Sequence, residues 1–233
     1  DDSTQIWFRH TFTEHPLPVS MVIAVASTGR FQLFVNERTV SPQLLMGDRP
    51  APDGTVGEYV FDVSRYLQPD SNTVALWYSP TFATPQQVSV VCYGRLTNGT
   101  TYAWPADGSW LCRPAMATNH GDSIEHIDNS SPIQGWNSHS PAVGTWFPVH
   151  TVTPSAMPPI AIRRLHYTAY RPLRIIEPMS IAPTPKGLIA HFAHSFYGWV
   201  RITLRDARPG EQLHIDHLHY VCNGQMDEQA CQR

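Results

Sequence analysis

Asn119-His-Gly-Asp-Ser-Ile-Glu-His-Ile-Asp-Asn129 places Asp122, Glu125, Asp128 and Asn129 within one short polar stretch. Ca²⁺ prefers several carboxylate and carbonyl oxygens, so these four side chains could hold it. Asn119, His120, Asp122 and Glu125 could also fix the hydroxyls of a sugar. Trp136, directly after Gly135, could lay its indole on an apolar sugar face, with one N–H left to donate. The same residues have a plainer reading. The charges could be solvated and engaged in Asx turns, and Trp136 could plug one end of a β-sandwich.

Other chemistry finds less support. Inverting glycoside hydrolysis needs two carboxyls on opposite sides of the scissile bond, far enough apart to admit a water. Asp227 and Glu228 are adjacent, so on a strand they point to opposite faces. Glu211 follows a turn glycine and reads as solvated. His214, His217 and His219 are the densest histidine group, but on a strand His214 faces away from the other two, which disfavours a three-ligand zinc site. Cys92 and Cys112 read as small strand residues. Cys222 and Cys231 are too far apart for a Cys-x-x-Cys knuckle. They could pair only in an oxidising compartment, and free thiols are the favoured reading. Asn98-Gly-Thr and Asn129-Ser-Ser fit the short, common glycosylation sequon.

The elements that must position these groups are strands. The chain has 233 residues, 42% hydrophobic and 15% charged, enough to bury one core and room for a second. Its 21 prolines fall mostly between apolar runs, as many short strands joined by turns require. A net charge of −3 without a basic block argues against nucleic acid and anionic membranes. No apolar run is long enough to span a bilayer, and the polar opening residues fit a signal that is removed or absent.

Ile6–Phe12, Val19–Ala26, Phe31–Asn36, Gly57–Asp62, Asn72–Trp77, Val88–Tyr93 and Thr101–Trp104 read as strands, with Val19–Ala26 buried on both faces. In Phe31–Asn36 and Asn72–Trp77, apolar and polar residues roughly alternate, so one face should be buried and the other wet. Asn36-Glu37 lies where a hairpin turn belongs. Asp62-Val-Ser should start one helical turn. Asp107-Gly-Ser-Trp110 reads as a turn into a buried aromatic, and Ala117–Ser140 as a long loop. This predicts an all-β chain: a galactose-binding-like jelly-roll sandwich over 1–152, a Pro-rich linker over 153–159, and a second β-sandwich region over 160–233. The second has four or five alternating segments (among them Arg174–Pro178, Leu188–Phe192, Gly198–Leu204 and Gln212–Asp216), thin for a complete sandwich.

In these segments the chain resembles the N-terminal, non-catalytic part of bacterial α-L-rhamnosidases. Phe8-Arg-His-Thr-Phe12, Phe34-Val-Asn36, Phe61-Asp-Val-Ser-Arg-Tyr-Leu67 with Asn72-Thr-Val-Ala-Leu, Asp107-Gly-Ser-Trp110, Gly135-Trp136 and Trp146 match in order. Ile175–Pro178, Gly187–Phe192, Phe196–Val200, Pro209-Gly210 and Tyr220…Glu228 extend the likeness. Glu37 stands where the family has a glycine. His191, His194 and Ser195 stand where it usually has acidic and amide side chains. His120-Gly-Asp-Ser-Ile-Glu125 resembles a Tyr-Gly-Glu-x-Tyr-Asp motif near the sugar and calcium site of some rhamnose-binding modules, with only the glycine identical. The family's helical catalytic barrel, with its Glu-Arg, Trp and Gly-Asp signature, has no counterpart here.

The resemblance implies a non-catalytic, carbohydrate-associated part of a rhamnosidase-like glycoside hydrolase. It would support a downstream helical catalytic domain and could bind rhamnose-containing glycan. It further implies a bacterial protein that is secreted, periplasmic or on the cell surface. The alternative is an independent lectin-like module with no enzyme attached. A complete small hydrolase ranks last.

Overall fold

The alternating segments form two facing sheets in the computed structural model, which describes residues 3–13, 15–42, 46–47, 50–81, 86–120, 124–128, 133–139, 144–152, 161–165, 174–185, 187–196, 198, 200–206, 208, 210–213, 215, 221–222 and 225–226. The strands are β1 (Thr4–Phe12), β2 (Pro18–Ser27), β3 (Arg30–Val35), β4 (Arg38–Thr39), β5 (Val56–Asp62), β6 (Asn72–Ser79), β7 (Val88–Leu96), β8 (Thr101–Pro105), β9 (Leu111–His120), β10 (Ile124–Ile127), β11 (Phe147–Pro148) and β12 (Ile162–Arg164). One sheet runs β10-β9-β1-β6-β3-β4, with β11 also on β9; the other runs β12-β5-β2-β7-β8. Phe31, Leu33, Val35, Val74, Leu76 and Tyr78 from the first sheet meet Met21, Ile23, Val25, Tyr59, Phe61 and Cys92 from the second in one core. The all-β sandwich expected from the alternation is the fold of this unit.

Local chemistry fixes the connections. Asp62 Oδ1 accepts the Ser64 N–H at 3.0 Å, and one 3₁₀ turn follows over Ser64–Tyr66. That hydrogen bond also pulls the Asp62 carboxyl below its ordinary pKa. Trp110 is buried behind the Asp107 turn. Val19–Ala26 falls within β2, between β5 and β7, and its residues from Ile23 onward are buried whichever face they point to. Gly94 lies where β7 crosses β2 so closely that a Cβ would come 2.0 Å from the Ser20 carbonyl oxygen.

Asn36 and Glu37 close the β3–β4 hairpin with φ of 48° and 68°, as a two-residue I′ turn requires. Asn tolerates that region; Glu pays for its Cβ there. Glu37→Gly is expected to raise the unfolding free energy by roughly 0.5–1 kcal/mol, the left-handed penalty less glycine's entropy cost. Urea denaturation checks it. The backbone bond from Glu37 N–H to Asn137 O survives the change.

One expectation needs correction. The outer face of the first sheet is dry, not wet. On that face Thr73 and Ala75 are fully buried, Arg9 is 4% exposed and Trp7 7%. The covering is the stretch 133–139 with Trp146, a strap the alternation could not reveal. A second correction concerns Ala117–Ser140. It is no continuous loop: β9 runs on to His120 and β10 returns antiparallel, Asn119 facing Glu125 and Thr118 facing His126.

The chain divides into two compact units, residues 1–171 and 172–233. The Pro-rich stretch 153–159 lies outside the described residues. Just after it, β12 pairs parallel with β5, Ile162 beside Val56, and Arg164 Nε holds Glu58 Oε2 at 3.1 Å. In the second unit β13 (Ser180–Thr184) and β14 (Gly187–His191) form a hairpin, and β15 (Val221–Cys222) pairs with β16 (Gln225–Met226). Among the described residues, the stretches around Ile175, Ile202 and Leu213 form no strand, and these three side chains are exposed. Alternation stabilises a strand only when one face is covered, and here it is not.

Candidate functional site

The first sheet's outer face brings Asn119 and Trp136 into one connected cluster. Trp136 stacks on Trp7 with centroids 4.7 Å apart and planes 7° from parallel. Phe34 and Trp77 meet it edge to face at 5.2 and 6.3 Å. Trp77 Nε1–H donates to Gln5 Oε1 at 2.5 Å, and Gln5 Nε2 donates to Asn119 Oδ1 at 2.8 Å. Asn119 Nδ2 then donates to Ser79 Oγ at 2.9 Å and Pro80 O at 2.8 Å. The Asn119 amide is thus engaged inside the fold at both ends. Trp136 is half-buried, so any sugar stacking on it must use the face turned away from Trp7.

Arginines frame the same strap. Arg9 Nη2 donates to the Ser138 carbonyl at 2.7 Å, and Ser138 Oγ donates to Gly135 O at 2.9 Å. Arg9 and Arg113 both lie over the Trp146 ring, at 5.7 and 5.6 Å from its centroid. Burial lowers the Arg9 pKa, although a guanidinium remains charged in proteins. Arg9 and Trp7 supply the buried floor of this face, and neither stood out as more than a strand residue.

A shallow hollow of about 370 Å³ lies at the other side of the β9–β10 hairpin, lined chiefly by Thr4, Met116, Thr118, His126, Ile127 and Asp128. Its origin is an irregularity in β9. Thr4 pairs with Thr118 but Ile6 with Pro114, so β9 carries extra residues there. Met116 takes φ 54° and its carbonyl accepts the Asp128 N–H at 2.9 Å. Asp128 is therefore a lining residue together with His126. Only the hairpin register, invisible in the polar run, could have singled out His126 and Met116.

The remaining candidates are placed as follows. Asp122 and Asn129 lie outside the described residues. His120 and Glu125 have described backbone only, as the partners of Ile124 and Asn119. Asp227, Glu228, His214, His217, His219 and Cys231 are outside the described residues. Glu211 is exposed and its carboxylate accepts the Arg208 N–H at 3.0 Å, as a turn residue would. Among the described residues no three His, Cys, Asp or Glu side chains converge as a metal site. Burial pushes the Cys92 thiol up to about 12 and raises that of Cys112, so neither is a ready nucleophile near neutral pH.

No protein-family model and no curated sequence matches the chain. Solved structures do share its fold, among them α-L-rhamnosidases matched over their N-terminal regions. The enzyme from Dictyoglumus thermophilum superposes with a TM-score of 0.66 at 19% identity, over 81% of this chain and 22% of its own. The enzyme from Aspergillus terreus gives 0.61 at 13% identity, over 79% and 23%. The GH78 rhamnosidase of Bacillus sp. GL1 gives 0.52 at 18% identity, over 70% and 18%. The chain therefore spans about a fifth of the length of these structures.

Proposed function

We propose that this chain is a non-catalytic β-sandwich portion of an exported, α-L-rhamnosidase-like glycoside hydrolase, where it supports a catalytic domain and contacts rhamnose-containing glycan. The observation that carries this reading is the shared fold over 81% of this chain and only 22% of the Dictyoglumus enzyme. Folds host many functions, so the sugar contact rests on the site instead. The contact lies at the β9–β10 hairpin, where Asp128 and His126 offer polar groups beside the apolar Met116 and Ile127. The oxygen donors Asp122, Glu125, Asp128 and Asn129 would supply Ca²⁺ with hard ligands. The free face of Trp136 is the second contact.

The test is calorimetric titration of the whole chain with L-rhamnose, with and without chelator. Weak binding, roughly millimolar, is expected from a shallow hollow that leaves much of a monosaccharide wet. Chelation should lower affinity and thermal stability together, since a ligand of the folded state stabilises it by mass action. Asp128→Ala should abolish the heat. No heat from the unaltered chain leaves only the supporting role. Aryl α-L-rhamnosides should remain unhydrolysed by the purified chain; turnover lost on a point mutation within it would overturn the non-catalytic assignment.

A further inference from the structure

Asn98, Gly99 and Thr100 form the tip of the β7–β8 hairpin, and all three are exposed. The tip is tightly ordered. Gly99 N–H donates to Leu96 O at 2.9 Å, and Leu96 N–H donates to Thr100 O at 2.8 Å. Gly99 has φ 87°, a conformation that suits glycine. Within this turn Asn98 Oδ1 accepts the Thr100 N–H at 3.0 Å. Its Nδ2, and the Thr100 hydroxyl, make no hydrogen bond to any described residue.

The other well-placed asparagines differ in kind. Asn36 Nδ2 donates to Tyr66 O and Asn72 Oδ1. Asn72 Nδ2 donates to Gln68 O, and Asn119 Nδ2 to Ser79 Oγ and Pro80 O. Their amide nitrogens hold the fold together. The Asn98 nitrogen holds nothing. Its oxygen is fixed by the turn while its nitrogen faces solvent. A Cβ built at Gly99 would meet no atom within 4 Å, so there is open space around the tip.

We propose that Asn98 is an acceptor for N-linked glycosylation during export. Asn-x-Ser/Thr with x other than proline is the acceptor pattern, and here Asn98-Gly99-Thr100 presents it on an exposed turn. The co-reactant is an oligosaccharide carried on a polyprenyl diphosphate, handled by an oligosaccharyltransferase. Asn98 Nδ2 attacks the anomeric carbon of the first sugar. The C1–N bond forms, the C1–O bond to phosphate breaks, and the polyprenyl diphosphate leaves with the electron pair. One Nδ2 proton is released. No electron is gained or lost.

The position gives the glycan a physical effect. β8 is the edge of its sheet, and its outward residues Thr101, Ala103 and Pro105 are exposed. An open edge is a template for pairing with other chains, and natural proteins cover or blunt such edges. A bulky hydrated glycan rooted at Asn98, three residues before β8, screens that edge. This inference rests on the exported location in the proposed function, and it replaces the bacterial origin implied by the sequence resemblance with a host whose export pathway carries an oligosaccharyltransferase. The attachment is covalent and independent of soluble rhamnose, so the two tests fail separately.

The experiment sends the full chain through a eukaryotic secretory pathway behind a cleavable signal. Intact mass is measured before and after peptide N-glycosidase in ¹⁸O water, followed by peptide mapping. The expected result is a glycan on Asn98, marked after release by conversion to ¹⁸O-labelled Asp. Occupancy should vanish in Asn98→Gln and in Thr100→Ala, and persist in Thr100→Ser and in Asn129→Gln. The melting temperature of Asn98→Gln should match that of the enzymatically deglycosylated parent, since the side chain anchors nothing distant. Folded, secreted chain with unmodified Asn98 overturns the proposal. If no chain reaches the medium, import into microsomes replaces secretion, and no Asn98-dependent gel shift there overturns it equally.

Discussion

Replacing Asn72 by alanine is expected to lower the unfolding free energy by about 2–4 kcal/mol, because each buried polar group left unsatisfied costs about 1–3 kcal/mol. Asn72 is fully buried, and its side chain makes three hydrogen bonds to two residues. Its Oδ1 accepts Gln68 N–H at 2.7 Å and Asn36 Nδ2–H at 2.9 Å, and its Nδ2 donates to Gln68 O at 2.9 Å. Asn36 in turn accepts Thr73 N–H at 2.8 Å and donates to Tyr66 O at 2.8 Å. Two asparagines thus tie the β3–β4 turn, the 3₁₀ turn and the start of β6. Deleting one strands Gln68's backbone and weakens the other. At about 2–4 °C per kcal/mol for a domain of this size, the melting temperature should fall by roughly 5–15 °C. Asn98→Ala, with only a local turn bond to lose, should stay within about 0.5 kcal/mol. A loss below about 1 kcal/mol for Asn72→Ala would show that water replaces the network, against its buried setting.

Trp136→Ala should be comparably costly. Truncating a buried Trp costs about 3–5 kcal/mol, and half-burial trims this to about 2–4 kcal/mol. The change removes the stack on Trp7 and the edge contacts with Phe34 and Trp77. Water would then reach the face that Arg9 and Ser138 close. Urea denaturation should show the loss, and near-UV circular dichroism should weaken as the stacked indoles separate. Trp136→Phe should recover much of both. If Trp136→Ala instead leaves stability intact and abolishes only sugar binding, the residue is a binding plate and not a cover.

How much of this was readable varies with which side chains face what. Phe31–Val35 and Asn72–Trp77 alternate because their inner residues share one core, so the strands were legible. Asp62 and Asn36 were legible too, since each satisfies or tolerates a backbone state that its type favours. The dry outer face was not. Trp7, Arg9 and Gln5 occupy the positions where exposed residues belong, and only the strap, which follows β6 much later in the chain, explains them. The β9–β10 hairpin hid for another reason. It is an edge ribbon in which polar and apolar residues mix on both faces, so no period shows. Asn119 looked like a ligand group because its type fits one; its hydrogen bonds to Gln5, Ser79 and Pro80 depend on long-range register.

The parallel pairing of β12 with β5 sets an order of events during synthesis. The antiparallel neighbours β5, β2 and β7 come from nearby sequence, and their ladder can form early. The Glu58–Arg164 ion pair closes a separation of 106 residues. A ribosome adding about 5–20 residues per second needs roughly 5–20 s to make that stretch. Throughout that interval the outer edge of β5 has no neighbour, and Val56–Asp62 is free to recruit another nascent chain. Ile162–Arg164 is therefore a late clasp, and the interval before it closes is when this protein is most open to misassembly.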